Sequence, residues 1–86
     1  MPSKLTPQTL FIKKLHLIIK AHEGMSMQLG VLVPLDDLEK EVMKQSIKNN
    51  LNISHKEFFH LLDELVSASI LLRPKNKYVQ KESLIT

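Results

Sequence analysis

Apolar residues recur at helical spacing in three stretches of this chain and gather into short, strand-like runs between and after them. Thr6-Pro7 opens the first helical stretch. Thr6 suits the cap and Pro7 the first helical position, where the missing N–H has no partner to lose. Phe11, Leu15 and Ile18 then form a core stripe, with Ile12 and Ile19 on one flank and Leu10 and Leu17 on the other. Only Thr9, Lys13, His16 and Lys20 make a narrow polar strip. A helix apolar over so wide an arc is either central or covered on two sides. The pattern predicts that it runs to about His22 and stops near Gly24.

Residues 25–34 read as a loop followed by a short strand, Val31-Leu32-Val33, ending at Pro34. A second helix is predicted from Leu35 to about Asn50. Its acids gather at the start and Lys44 and Lys48 at the end, as the helix dipole favours. Leu35, Leu38 and Val42 give its inner face, widened by Met43 and Ile47. Leu51-Asn52-Ile53 is a turn. Ser54 with Glu57 three residues on forms a capping box for a third helix, the hydroxyl accepting from a first-turn N–H while the carboxylate reaches back. Phe58, Leu61, Leu62, Leu65 and Ser69 share one face of it. Small residues follow at Ser67, Ala68 and Ser69, where a helix can meet a strand closely. Ile70-Leu71-Leu72 reads as a strand, Arg73 to Lys77 as a polar turn and Tyr78-Val79-Gln80 as a second strand. The predicted core centres on Phe11, Leu15, Ile18, Leu38, Val42, Phe58, Leu61, Leu62 and Leu65.

The order helix, strand, helix, turn, helix, strand, basic turn, strand predicts a mainly α fold with a small β-sheet: a winged helix-turn-helix of three helices and a β-hairpin wing. Its span is 6–80, with residues 1–5 and 81–86 as flexible tails. At 86 residues the chain makes one small domain. The net charge of +3 is weak, but its placement is uneven. Asp36, Asp37, Glu39 and Glu41 crowd residues 36–41, whereas Arg73, Lys75, Lys77 and Lys81 follow one another with no acid between them. Phosphates attract such a cluster and release counterions on contact.

Other chemistries find little support. The chain has no cysteine, which removes disulfides, zinc–thiolate sites and cysteine nucleophiles and fits a reducing compartment. His16, His22, His55 and His60 lack the three- or four-residue spacing of helical metal ligands. His22-Glu23 is not followed by the second histidine of a zinc-protease motif. With two glycines there is no phosphate-cradling loop. No nucleophile elbow and no carboxylate pair in an apolar setting stands out, so neither an enzyme nor a bound cofactor or metal is expected. No signal peptide is evident, and the apolar run Leu10 to Ile19 holds Lys13, Lys14 and His16 and is too short for a bilayer. An intracellular protein, nuclear or cytoplasmic, is expected.

The outer face of the third helix carries Lys56, His60, Asp63 and Ser67, with His55 at its start. His55, Lys56 and His60 are candidate contacts to phosphates or base edges, and Arg73, Lys75 and Lys77 candidate wing contacts to the backbone. The segment from Val33 through Val79 resembles the winged-helix domains at the C-termini of replication proteins. DDLEKEVMKQSIKNN followed by ISHKEFFHLLDELVSASIL is similar to the origin-recognition and helicase-loader ATPases, and ILLRPKNKYVQ to the tail of minichromosome maintenance helicases. The resemblance implies a DNA-binding module of a replication or transcription protein. Its affinity for duplex DNA would be modest and directed to the phosphate backbone. The alternative is a protein-interaction module that recruits a partner or forms a homodimer through Leu10, Leu17 and Phe59.

Overall fold

The structure, a computed structural model, describes residues 6–81. The expected tails 1–5 and 82–86 lie outside the described residues; Lys81, expected in the second tail, belongs to the last strand. The order is α1 (Pro7–Leu29), β1 (Val33–Pro34), α2 (Leu35–Lys48), α3 (His55–Ser67), β2 (Leu71–Leu72), a one-turn segment Pro74–Asn76, and β3 (Tyr78–Lys81). The strands form an antiparallel sheet in the order β1-β3-β2, with Val33 opposite Val79 and Leu71 opposite Lys81. Three helices with a small three-stranded sheet ending in a hairpin make a winged-helix-like layout.

Helix α1 begins as expected. Thr6 is its cap, accepting from the Thr9 amide at 3.1 Å. It then passes straight through Gly24 and ends five residues beyond it at Leu29. Gly24 has no positive φ, so it serves as an ordinary helical residue, at a cost of about 1 kcal/mol relative to alanine. The C-cap is Gly30, whose φ of 106° belongs to glycine alone. The helix is drawn past Gly24 by Met25, which packs against the core. The strand expected at Val31-Leu32-Val33 shrinks to Val33 and Pro34, leaving Val31 and Leu32 exposed.

Helices α2 and α3 end alike. After α2, Leu51 N–H donates to Ser46 O at 2.8 Å and Asn50 N–H to Ile47 O at 3.2 Å, with Asn50 at φ 57°. After α3, Ile70 N–H donates to Leu65 O at 2.9 Å and Ser69 N–H to Val66 O at 3.0 Å, with Ser69 at φ 60°. Both are Schellman closures, which satisfy the last carbonyls by turning one residue left-handed. Ser69, expected on the apolar face of α3, is therefore outside the helix and exposed, and β2 starts at Leu71 rather than Ile70. Helix α2 stops at Lys48, two residues short of the expected end.

Ile18, Leu38, Val42, Phe58, Leu61, Leu62 and Leu65 are buried as the periodicity predicts; Phe11 and Leu15 pack against them from the edge. The core also takes Val33, Leu35, Ile53, Leu71 and Val79, which seal it from the sheet and the turn. Ile47 does not widen the inner face of α2; it is 70% exposed. The polar strip Thr9, Lys13, His16 and Lys20 of α1 is exposed as expected, but its buried side holds more than the apolar stripe. Lys14 and His22 lie on its buried side with Ile18, while Ile12 is 49% exposed. Leu17 and Ile19 are partly covered by the core, so α1 is central, with α2, α3 and β1 packed around it.

Candidate nucleic-acid interface

Helix α3 and the β2–β3 hairpin form the face on which most of the candidate residues were expected. Ser54 caps α3, its Oγ accepting from the Glu57 amide at 3.1 Å. Only half of the expected capping box forms. The Glu57 carboxylate turns away from the cap and takes Lys14 Nζ of α1 at 2.7 Å. That places the start of α3 on α1 through an ion pair whose lysine side chain is only 11% exposed.

With the apolar stripe of α3 fixed inward, Lys56, His60, Asp63 and Ser67 are all exposed, one helical strip as expected. His55 is exposed too, but it is paired with Glu39 of α2. Asp63 Oδ1 accepts from Arg73 Nη1 at 3.0 Å. Arg73 leaves β2 at the base of the wing, so this pair seats the wing beside the outer strip of α3. The Arg73 guanidinium also lies over the Phe59 ring, 5.6 Å from its centroid. Its Nε is buried without a hydrogen-bond partner among the described residues. Phe59 meets Phe58 edge-on at 5.2 Å and His55 at 5.0 Å. Arg73 and His55 are thus engaged with acids of their own fold, and Phe59 is half-buried beneath them.

The wing tip is a tight turn. Lys75 and Asn76 both have positive φ, 57° and 54°, and Lys77 N–H donates to Pro74 O at 3.2 Å. Two successive left-handed residues define the type I′ turn, whose twist suits a hairpin. Asparagine and glycine favour those positions; Lys75 stands at the first of them and is exposed, as is Lys77. The wing is anchored at its other side by Leu35, the first residue of α2, whose N–H donates to Lys77 O at 2.9 Å.

The charges sort themselves by this geometry. Three acids on or against α3, namely Glu57, Asp63 and Glu39, each hold a basic partner. Among the described residues Lys56, Lys75, Lys77 and Lys81 form no ion pair, and Glu64 is the one acid of α3 in the same condition. Asp63 pairs with a cation of the wing, whose basic run was legible in the chain. The Lys14–Glu57 pair was not, because Lys14 lies among apolar residues in the sequence.

His22 is a core histidine. Its Nε2 lies 2.9 Å from Val79 O, and a carbonyl only accepts, so Nε2–H donates to the central strand. Among the described residues no three His, Asp or Glu side chains gather as metal ligands, and no helix is long and apolar enough to cross a membrane. Of the residues expected at a protein interface, Leu10 and Leu17 are half-buried on α1. Leu17 lines a cleft with the end of α2.

Comparison with known proteins finds no matching family model, no matching curated protein and no matching solved structure.

Proposed function

We propose that this chain is a duplex-DNA-binding module that grips the phosphate backbone with the start of α3 and the wing. The observation that carries this reading is the division of charges on that face. Its acids are largely neutralised from within, while Lys56, Lys75, Lys77 and Lys81 have no ion-pair partner among the described residues. Asp63, which by itself would repel a backbone laid along α3, is compensated by Arg73. Arg73 then acts as a positioning residue that holds the wing against α3 rather than as a phosphate ligand.

Lys75 gives a second support. A lysine at φ 57° occupies a conformation that disfavours L-residues by roughly 1–2 kcal/mol. Retaining it at an exposed turn, where glycine is cheaper, is explained by a use for its charge. The outer strip of α3 offers few groups suited to bidentate base readout, so affinity is dominated by phosphates and depends steeply on salt. Membership of a replication or transcription protein is part of this proposal and rests on the resemblance of Val33–Val79.

The test is a titration of fluorescent duplex DNA at several salt concentrations. Four contacting lysines give a slope of log K against log salt of about −3 to −4. Lys75→Gly should weaken binding and reduce the slope by about one while raising the stability of the free protein, two effects of opposite sign. A slope near zero in the parent, or a Lys75→Gly variant that binds as tightly as the parent, would sink the reading.

A further inference from the structure

A cleft of about 880 Å³ runs along α1 where it meets the end of α2 and the following turn, and it shares no residue with α3 or the wing. Its α1 wall is a single helical stripe in which Ile12 and Lys13, His16 and Leu17, and then Lys20 recur every three or four residues. From Thr9 to Lys20 the stripe covers about 18 Å at the rise of an α-helix. Gln45, Asn49 and Leu51 stand opposite. Among the described residues no acid lines the cleft. Glu41, one turn before Gln45, accepts from the Gln45 amide at 2.8 Å and stays outside it.

We propose that this cleft is a docking groove for an acidic amphipathic helix of about three turns, supplied by a partner protein. The floor is apolar: Ile12 is 49% exposed, and Leu17 and Leu51 are half-buried beside it. Apolar anchors of a helix at i, i+3 or i+4, and i+7 fit a floor of that length. The exposed Lys13 and Lys20, with His16 between them, line the same wall, so carboxylates flanking those anchors meet cations and no like charge. A DNA backbone suits the cleft poorly, because it would lay phosphates over Ile12 and Leu17. A second copy of the chain joined through the same face suits it no better. The two-fold contact would bring Lys13 and Lys20 of each copy against those of the other. The groove is independent of the DNA reading: its residues and those of the wing are separate sets.

The probe is a fluorescent fourteen-residue peptide with leucines at helical i, i+4, i+7 and i+11 spacing and glutamates on either side of that stripe, titrated into the full chain by anisotropy. A control peptide carries lysine in place of each glutamate. The acidic peptide should bind saturably and at least about tenfold more tightly than the basic one. Lys13→Glu/Lys20→Glu should weaken it by about tenfold or more, and so should Ile12→Asp, with the helical circular-dichroism melt of each variant matching the parent. Duplex DNA should leave the bound peptide in place. Equal binding of the two peptides, displacement by DNA, or affinity unchanged in both variants would overturn the proposal. So would a concentration-dependent dimer in sedimentation that Ile12→Asp abolishes, since a second copy would then fill the groove.

Discussion

Helix α3 turns a purely apolar face inward, Phe58, Leu61, Leu62 and Leu65, and keeps its polar residues outside. Helix α1 lies in the same core yet buries Lys14 and His22 beside Ile18, and leaves Ile12, Met27 and Leu29 in solvent. The difference lies in how each helix is held in rotation. Turning α3 would expose its only apolar stripe, so burial alone fixes it. Turning α1 exchanges one apolar flank for another at little cost in apolar area, so burial hardly chooses. Two polar ties choose instead, Lys14 to Glu57 and His22 to Val79 O. Each would leave a costly unpartnered group in the wrong rotation. These ties also reach the two parts that matter for the proposed interface, the start of α3 and the strand that carries the wing.

The largest effect should come from the apolar side of this comparison. Leu62→Ala is expected to cost about 2–5 kcal/mol in urea denaturation, because Leu62 is fully buried in the core. Ile12→Ala on α1 should stay within about 0.5 kcal/mol of the parent. A comparable loss at both positions would mean that α1 is turned the other way.

An intermediate effect should come from the ion pair. Glu57→Leu leaves Lys14 almost buried without its partner and should cost about 1–3 kcal/mol. Adding Lys14→Met should restore much of that loss, as replacing a paired charge by apolar side chains often does. If the double variant were as unstable as the sum of the two single variants, the pair would have no part in setting α1 against α3.

The smallest effect sharpens the account of how α3 ends. Ser69 sits at φ 60° in the Schellman closure, a position that favours glycine. Ser69→Gly should raise the stability by up to about 1 kcal/mol, read as a higher denaturation midpoint. A lowered midpoint would mean that the serine side chain contributes more there than its backbone strain removes.

Most of α2 and α3, the Ser54 cap of α3, the inner face Phe58 to Leu65, the succession of helices and strands along the chain and the basic run of the wing are legible in the chain alone. These are local matters: a clean apolar period, a cap of fitting chemistry and a turn bounded by Pro74 can each be read within a dozen residues. The tertiary structure decided which glycine ends α1, because Gly24 and Gly30 look alike until Met25 finds the core and Gly30 must take a left-handed φ. It decided the burial of Lys14, since nothing near Lys14 in the chain shows the partner that Glu57 brings from 43 positions away. It also decided which cations of the wing face have partners. Arg73 and Lys75 are equal charges in the chain, but only Arg73 reaches Asp63 and the Phe59 ring, and Lys75 is carried to the tip. Charge and periodicity are properties of the chain, whereas the pairing that leaves a charge exposed depends on which distant segments the folded core brings together.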